Sequence, residues 1–204
     1  SMIDWKASVR SKNLLVREFV EERNLNVYFL LDVSSSMVYS SIDKLKIEYS
    51  GELTAALSFL VLNAGDSVGF AMFNDNIVKN FPPAPGMFQY NNLVNTIVNP
   101  EFYGGKYELN EALKFTLAFL KQSSIVIVIS DFIGLKKGWE RYIRMIAKKF
   151  DLIGIMIKDP RDSALPEFNG QAVLQDPFSE KQILVRPEMI GAMYKSYAAK
   201  KEKM

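Results

Sequence analysis

Two short polar segments hold the side chains of this sequence that could do chemistry. The first is a D-x-S-x-S pattern formed by Asp32, Ser34 and Ser36, and the second is Ser130-Asp131; each directly follows a strand-sized apolar run. In an extended segment, Asp32, Ser34 and Ser36 project to one side of the backbone. Either segment alone is also typical of a turn or a helix cap. Together they predict one cluster of carboxylates and hydroxyls.

The residue types that are missing narrow the chemistry of such a cluster. The sequence contains neither cysteine nor histidine, so cysteine nucleophiles, His-based triads and the usual zinc sites are excluded. Carboxylates and hydroxyls suit Mg²⁺, which prefers octahedral oxygen coordination. Mn²⁺ or Ca²⁺ would accept the same ligands, and a metal-free cluster is the remaining alternative. Because hydroxyls are neutral ligands, a bound ion would keep a positive field that attracts a carboxylate.

Amino-acid composition limits the classes of protein to which this chain can belong. The 204 residues are 49% hydrophobic and carry 25 Lys and Arg against 23 Asp and Glu, which predicts one globular domain over 1–204 without a broad nucleic-acid surface. No apolar run approaches the ~20 residues of a membrane helix. The start Ser1-Met2 is typical of a cloning scar, so we expect a part of a longer protein. The lack of cysteine fits a reducing, cytoplasmic compartment.

The elements that must position the cluster follow from periodicity. Apolar runs alternating with amphipathic helices predict an α/β fold with a mainly parallel sheet. Strands are predicted at 26–33, 67–73, 77–81, 124–129 and 152–157, with an edge hairpin at 172–174 and 182–185, and helices at 44–63, 88–98, 108–121, 136–150 and from 188. If the strands ending near Asp32 and Asp131 are neighbours, both carboxylates face one crevice at the carboxyl edge of the sheet.

The long helix at 44–63 carries the clearest apolar repeat. Leucine and tyrosine recur at three- and four-residue spacing, which predicts one buried stripe made of Leu45, Tyr49, Leu53, Leu57 and Leu60. The segment 82–86, rich in proline, predicts a stiff loop. The runs at 26–33, 124–129 and 152–157 are apolar on both faces, as is typical of central strands.

The motif pair resembles a von Willebrand factor A domain, whose metal-ion-dependent adhesion site combines D-x-S-x-S, a Thr on a later loop and an Asp after the fourth strand. Segments 3–8 and 15–23 and the pair Asp159-Pro160 resemble one prokaryotic branch, domains of unknown function often encoded beside MoxR-type AAA+ ATPases. The resemblance covers nearly all of the chain. It implies a doubly wound, Rossmann-like fold with one antiparallel edge strand, and a parent protein tethered by amino-terminal membrane helices.

Carried over by motif, Asp32, Ser34, Ser36 and Asp131 match the metal site of that family, with the two serines as direct ligands. The third element of the family's metal site, the Thr on a later loop, is not matched by this sequence. Where the family has Gly-Gly-Thr, one residue and then Leu, this chain has Gly-Gly-Lys-Tyr-Glu-Leu over 104–109. Counting forward from the glycines places Lys106 in the Thr position, and counting back from the leucine places Tyr107 there.

Each candidate for the third element has a different consequence. A Lys106 ammonium would repel a divalent cation or replace it as a fixed positive charge. A Tyr107 hydroxyl is a bulky, poor ligand. Glu108 would add a carboxylate and neutralise the field that recruits an acidic partner. The three alternatives therefore predict different sites.

The leading functional hypothesis is a non-enzymatic protein–protein interaction module. Its rim, with Met37, Lys106 and Phe132, would dock an acidic residue of a partner, through bound Mg²⁺ where the metal is present. The resemblance implies a MoxR-type AAA+ ATPase as partner, in assembly or remodelling of complexes. The enzyme alternative is a haloacid-dehalogenase-like phosphohydrolase with Asp32 as nucleophile, but that chemistry expects a second Asp where this chain has Ser34.

Overall fold

A computed structural model describes residues 2–3, 10–11, 16–17, 24–121, 124–163, 171–179 and 181–186. The strands are β1 (Met2–Ile3), β2 (Val16–Arg17), β3 (Asn26–Asp32), β4 (Ser67–Phe73), β5 (Ile77–Ala84), β6 (Ser124–Ser130), β7 (Asp151–Met156), β8 (Ala172–Gln175) and β9 (Gln182–Val185). The helices are α1 (Lys46–Asn63), α2 (Met87–Ile97), α3 (Leu109–Phe119), α4 (Trp139–Lys149) and α5 (Pro160–Ser163). Two 3₁₀ turns cover Ser35–Val38 and Pro100–Phe102.

The central sheet has five strands in the order β5-β4-β3-β6-β7. Strand β3 pairs in parallel with β4 and with β6, and β6 pairs in parallel with β7. Strand β5 is antiparallel to β4 and closes one edge. The prediction of a mainly parallel sheet with one antiparallel edge strand is therefore confirmed.

Helices cover both faces of this sheet because side chains of β3 alternate between them. Phe29 and Leu31 point to the core shared with α1 and α2, whereas Tyr28 and Leu30 point to the core shared with α3 and α4. All four of these side chains are completely buried. The predicted doubly wound arrangement is confirmed.

The order of the strands fixes where a site can form. From β3 the chain passes through α1 to β4 on one side, and it later enters β6 on the other side of β3. The carboxyl ends of β3 and β6 therefore flank the point at which the strand order reverses. In open α/β sheets this switch point is the usual location of a binding site.

The predicted apolar stripe of α1 is wrong at two positions. Tyr49 is 55% exposed and Leu60 63% exposed, while Leu53 and Leu57 pack against the core as expected. The buried face instead consists mainly of small residues, among them Ser50, Gly51, Thr54 and Ser58. Small residues let α2 approach closely, since a Cβ on Gly51 would lie 2.6 Å from Cγ2 of Ile97. Periodicity of large apolar residues therefore indicates the wrong face here.

Three other predictions change at the edges of the sheet. Strand β5 continues through the prolines to Ala84 instead of ending in a loop, because an edge strand does not need every N–H for pairing. Strand β7 is an edge strand, with Ile153 and Met156 about half exposed, and not a central one. The predicted hairpin forms as β8 and β9, but as a separate two-stranded sheet. The predicted final helix from 188 lies outside the described residues.

Candidate functional site

The two predicted polar segments converge at the switch point. Asp32 ends β3 and Ser130 ends β6, and the two strands are paired up to Leu31 and Ile129. The Ser130 hydroxyl donates a 2.6 Å hydrogen bond to Asp32 Oδ2. The other oxygen of this carboxylate, Oδ1, accepts a 2.8 Å bond from the backbone N–H of Ser34. Both oxygens of Asp32 are therefore engaged by its own loop and by the neighbouring strand.

Oxygen contacts continue from this pair to the second carboxylate. Ser34 Oγ lies 3.2 Å from Ser36 Oγ, and the Ser36 hydroxyl donates a 3.1 Å bond to Asp131 Oδ1. We call Asp32, Ser34, Ser36, Ser130 and Asp131 the polar cluster. All five of its members are buried. The sequence prediction that Asp32 and Asp131 meet beside two hydroxyls is confirmed as geometry.

Local backbone geometry holds each segment in place. After β3 the chain enters the 3₁₀ turn, with the N–H of Met37 donating to the carbonyl of Ser34. After β6, the N–H of Phe132 donates to Ser130 Oγ at 2.8 Å and that of Ile133 donates to Asp131 Oδ1 at 2.8 Å. Phe132 has φ of 52°, a left-handed conformation uncommon outside glycine. This turn holds Ser130 against Asp32 of β3 and Asp131 against Ser36 of the D-x-S-x-S segment.

The third loop closes over the D-x-S-x-S segment through backbone contacts. The N–H of Gly104 donates to the carbonyl of Val33 at 2.7 Å, and the N–H of Ser35 donates to the carbonyl of Gly105 at 3.0 Å. Both glycines have φ near +90° to +100°, which explains the Gly-Gly pair. A Cβ on Gly105 would also lie 2.8 Å from Nδ2 of Asn74.

Of the three candidates for the third element, the structure brings Tyr107 next to the polar cluster. This residue is only 3% exposed, and its hydroxyl lies 3.4 Å from Ser130 Oγ. Lys106 is exposed. Glu108 is half-buried and forms an ion pair with Lys136. Counting back from Leu109 therefore identifies the residue that reaches the cluster, and neither Lys106 nor Glu108 occupies that position.

A residue that sequence reasoning missed completes the site. Lys46, the first residue of α1, extends its ammonium to Asp131 Oδ2 at 2.6 Å and to Asp162 Oδ2 at 3.3 Å. Its side chain is 6% exposed and that of Asp131 is 1% exposed. No spacing rule links Lys46 to a carboxylate 85 positions away. The one available signal is that a lysine is disfavoured in the first turn of a helix, where the dipole is positive.

Burial and charge perturb the ionisable groups around the cluster. Burial, reinforced by the charge of Asp131, raises the pKa of Asp32 to about 7 despite the lowering effect of its hydrogen bonds. Burial and then the Asp32 charge raise the pKa of Tyr107. For Lys46, burial alone would lower the pKa, but Asp131 and Asp162 hold it above its usual value. The lysine therefore carries a full positive charge inside the site.

The expected rim is wrong in one member. Met37 is completely buried in the core on the α1 side and is unable to contact a partner in this conformation, because the 3₁₀ turn directs its side chain inward. Phe132 is half-buried and packs against the core on the α3 side. Lys106 is the exposed member.

A second set of hydrogen bonds fastens the loop before α1 to the segment after β7. Asp159 accepts bonds from the Ser40 hydroxyl at 3.1 Å and from the N–H of Ser41 at 2.7 Å, and also from the Ser41 hydroxyl. We call Ser40, Ser41 and Asp159 the clasp. The N–H of Asp159 in turn donates to Asp162 Oδ2 at 2.9 Å. Since Asp162 also accepts from Lys46, the clasp and the polar cluster share one hydrogen-bond network.

Two hydrogen-bond distances in the cluster are close to the separation of adjacent ligand oxygens around a small divalent cation. Octahedral Mg²⁺ at about 2.1 Å places adjacent ligand oxygens about 3.0 Å apart, close to the 3.2 Å and 3.1 Å that separate Ser34, Ser36 and Asp131. Within the described residues, no group of three or more Asp, Glu, His or Cys could hold a metal ion. The hydroxyls would therefore have to complete any ligand set.

The fold defines the class of protein. A mostly parallel sheet with one antiparallel edge strand, flanked by helices, is an α/β fold of the von Willebrand factor A type. The whole chain, residues 1–204, matches the family described as protein of unknown function DUF58, and the chain belongs to that family.

The chain is also similar to an uncharacterized relative and, in its fold, to solved structures. An uncharacterized protein of Mycobacterium tuberculosis is 27% identical over 176 residues, which cover 85% of this chain and 55% of the relative. The chain thus spans about half the length of that curated relative. An aerotolerance-related membrane protein of Bacteroides fragilis has a TM-score of 0.58 at 14% identity, covering 86% of this chain and 88% of the other. BatB of Bacteroides thetaiotaomicron has a TM-score of 0.57 at 16% identity, covering 86% and 87%. At these identities the likeness concerns the fold.

Proposed function

We propose that this chain is a non-enzymatic protein–protein interaction module whose polar cluster binds Mg²⁺ or a similar divalent cation and docks an acidic side chain of a partner. The observation that carries the proposal is the row of oxygens from Ser34 through Ser36 to Asp131, with separations of 3.2 Å and 3.1 Å, at the switch point of the sheet. Ser34, Ser36 and Asp131 would hold the ion. When bound, the ion supplies a positive charge that a partner carboxylate can ligate.

Asp32 has a positioning role in this proposal. Its Oδ1 holds the N–H of Ser34 and its Oδ2 holds the hydroxyl of Ser130. These bonds fix the turn from which the serine ligands project and join it to β6. Asp32 would thus contact the ion directly or through a water molecule while keeping the ligand loop in register.

Apolar surface beside the cluster favours a protein as the partner. A groove of about 950 Å³ runs between α1 and α2, and its lining includes Ser35 of the D-x-S-x-S segment. Tyr39, also in the lining, and the nearby Ile42 are 55% and 60% exposed. A partner segment that pairs an acidic residue with apolar side chains would bury this surface while its carboxylate approaches the cluster.

The same residues favour binding over phosphoryl transfer. Both oxygens of Asp32 are held by hydrogen bonds from its own loop and from Ser130, which favours a positioning role over nucleophilic attack on a phosphate. Ser34 stands where a haloacid-dehalogenase-like enzyme needs an acid/base residue, and a hydroxyl does not titrate near neutral pH. We therefore propose a module without catalytic activity of its own.

The resemblance of segments 3–8, 15–23 and Asp159-Pro160 supports a MoxR-type AAA+ ATPase as the partner, in assembly or remodelling of other complexes. We further propose that the parent protein is tethered to a membrane and exposes this domain to the cytoplasm. One structural neighbour, the protein of Bacteroides fragilis, is described as a membrane protein. In the part of this chain that the structure describes, no helix is long and apolar enough to cross a membrane.

The test is a calorimetric titration with Mg²⁺, Mn²⁺ and Ca²⁺ on the wild type, Ser36→Ala and Ser58→Ala. Both substitutions remove one buried hydroxyl, but Ser58 lies on α1 and its hydroxyl has no hydrogen-bond partner among the described residues. We expect binding by the wild type and Ser58→Ala and its loss in Ser36→Ala. A wild type that gives no heat with any of the ions would contradict the metal-bridged version.

The partner is tested separately by sedimentation of the wild type with a MoxR-type AAA+ ATPase, with and without Mg²⁺. The proposal expects a complex that Ser36→Ala weakens. Failure to form a complex under either condition would remove this partner, and a complex insensitive to Ser36→Ala would place the interface away from the cluster.

A further inference from the structure

An ammonium group lies inside the polar cluster. Lys46 Nζ is 2.6 Å from Asp131 Oδ2 and 3.3 Å from Asp162 Oδ2. The opposite oxygen of Asp131, Oδ1, accepts from Ser36 and from the N–H of Ile133. One carboxylate thus faces the hydroxyl ligands on one side and a fixed cation on the other.

Placing the Lys46 ammonium at this position is energetically unfavourable unless nearby negative charges compensate it. Lysine is almost never fully buried without a partner, and the first turn of a helix is the least favourable place on it for a positive charge. The Lys46 side chain is nevertheless 6% exposed at the first position of α1. The two carboxylates, Asp131 and Asp162, offset both costs and hold the cation at this position.

We propose that the Lys46 ammonium is a built-in cation of the polar cluster that competes with a divalent cation for Asp131 and moves to Asp162 when the divalent cation binds. The proposal rests on the proposed metal-binding function and deepens it. In the absence of metal, Lys46 neutralises Asp131 and keeps the cluster closed. Metal binding and lysine binding at Asp131 are therefore mutually opposed.

Electrostatics makes the competition unavoidable. Two like charges a few ångströms apart in a buried site repel strongly, and an ion ligated by Asp131 would lie close to an ammonium that is 2.6 Å from the same carboxylate. Lys46 has an alternative, since it already contacts Asp162, whose side chain is 28% exposed. A short shift would keep the ammonium paired while it leaves Asp131.

The shift also connects the cluster to the clasp. Asp162 Oδ2, the alternative acceptor, already takes a 2.9 Å bond from the N–H of Asp159, and Asp159 holds Ser40 and Ser41 of the loop that precedes α1. Movement of Lys46 toward Asp162 thus changes the electrostatic environment of the network that fastens this loop. Metal binding would in this way alter the hydrogen bonds that hold the surface loop next to the cluster.

The experiment compares Lys46→Met with the wild type and with Lys44→Met as a matched control. Lys44 is at the surface, where it pairs with the exposed Glu52 and lies over the Tyr49 ring. Mn²⁺ binding is measured by calorimetry and thermal unfolding is followed with and without Mn²⁺. Without metal, Lys46→Met leaves Asp131 unpaired and should unfold roughly 10 °C below the wild type. Mn²⁺ should restore most of that loss and bind Lys46→Met at least about tenfold more tightly than the wild type.

Two further variants keep the test decisive if Lys46→Met folds poorly. Lys46→Met combined with Asp131→Asn removes both charges, so it should regain stability without metal and show no response to Mn²⁺. Asp162→Asn keeps a hydrogen-bond acceptor but removes the alternative charge partner, so it should bind Mn²⁺ more weakly than the wild type.

The outcomes separate this inference from the proposed function. If the wild type binds Mn²⁺ and Lys46→Met binds it no more tightly, the competition is overturned and the metal-binding function stands. If a folded Lys46→Met and the wild type both fail to bind, the metal-binding function and this inference are both overturned. Tighter binding in Lys46→Met, with Lys44→Met unchanged, supports the inference.

Discussion

Ser130 Oγ donates a 2.6 Å hydrogen bond to Asp32 Oδ2 and so joins the ends of two neighbouring strands across 98 positions of sequence. The same Ser130 Oγ accepts the N–H of Phe132 at 2.8 Å. One hydroxyl therefore fixes the turn after β6 and the carboxylate that organises the D-x-S-x-S segment. The rigidity of the site depends on this contact between serine and aspartate.

Ser130→Ala should lower the free energy of unfolding by about 1–3 kcal/mol, because Asp32 Oδ2 would lose its donor while completely buried. Ser124→Ala is the matched control at the opposite end of β6, where the hydroxyl donates a long 3.3 Å bond to the carbonyl of Lys121. Urea denaturation measures both. Equal losses for the two variants would contradict the role assigned to Ser130.

Asp159→Asn should weaken the clasp and change the acid stability of the domain. Burial alone would raise the pKa of Asp159, but hydrogen bonds from Ser41, Arg161 and Ser40 lower it to about 2. Because the folded-state pKa lies below the unfolded value, the stabilisation is present above about pH 4 and is lost as the pH falls toward 2.

At pH 7, Asp159→Asn should lower the free energy of unfolding by about 2 kcal/mol. Between pH 4 and pH 2 the stability of the variant should decrease less than that of the wild type. Denaturation by urea at a series of pH values checks both statements. A variant with the same pH profile as the wild type would show that Asp159 does not contribute through its charge.

Gly105→Ala should destabilise the third loop by more than Gly65→Ala. Both glycines have φ near +90°, but a Cβ on Gly105 would lie 2.8 Å from Nδ2 of Asn74, whereas a Cβ on Gly65 meets open space. We expect Gly65→Ala to lower the free energy of unfolding by about 1 kcal/mol through backbone strain alone. Gly105→Ala should lower it by at least about twice as much. Thermal unfolding gives the comparison, and a reversed order would show that the third loop readily moves away.

Lys106→Ala and Tyr107→Phe test the third element. Lys106 is exposed, so its removal should change the unfolding free energy by less than about 0.5 kcal/mol. Tyr107→Phe removes a buried hydroxyl beside Ser130 and should cost about 1 kcal/mol. Mn²⁺ binding, measured by calorimetry, should stay unchanged in Lys106→Ala. Tighter binding there would show that the Lys106 ammonium influences the site after all.

The sequence was sufficient to predict the five strands of the central sheet and the meeting of Asp32 with Asp131, but not the extent of β5 or the edge position of β7. Apolar runs identify buried strands, and the switch-point rule says which of their ends come together. The burial of Met37 was not predictable, since the direction of a side chain within a 3₁₀ turn does not follow from a two-residue alternation. The same limit applies to the choice between Lys106 and Tyr107, which depended on how the Gly-Gly turn closes.

Helix α1 shows why the remainder of the site escaped prediction. Its buried face contains Ser50, Gly51, Thr54 and Ser58, which are too small or too polar to produce an apolar repeat in the sequence. Its first residue, Lys46, is charged, and a charged side chain ordinarily predicts a solvent-exposed position. In both cases the deciding partner is distant in sequence, Ile97 for the small residues and Asp131 for the lysine.

The most direct test of the central claim is anomalous diffraction from crystals grown with Mn²⁺. We predict an anomalous peak within coordination distance of Ser34 Oγ, Ser36 Oγ and a carboxylate oxygen of Asp131, with Lys46 displaced toward Asp162. Crystals saturated with Mn²⁺ that show no peak at this position, and Lys46 still paired with Asp131, would contradict it.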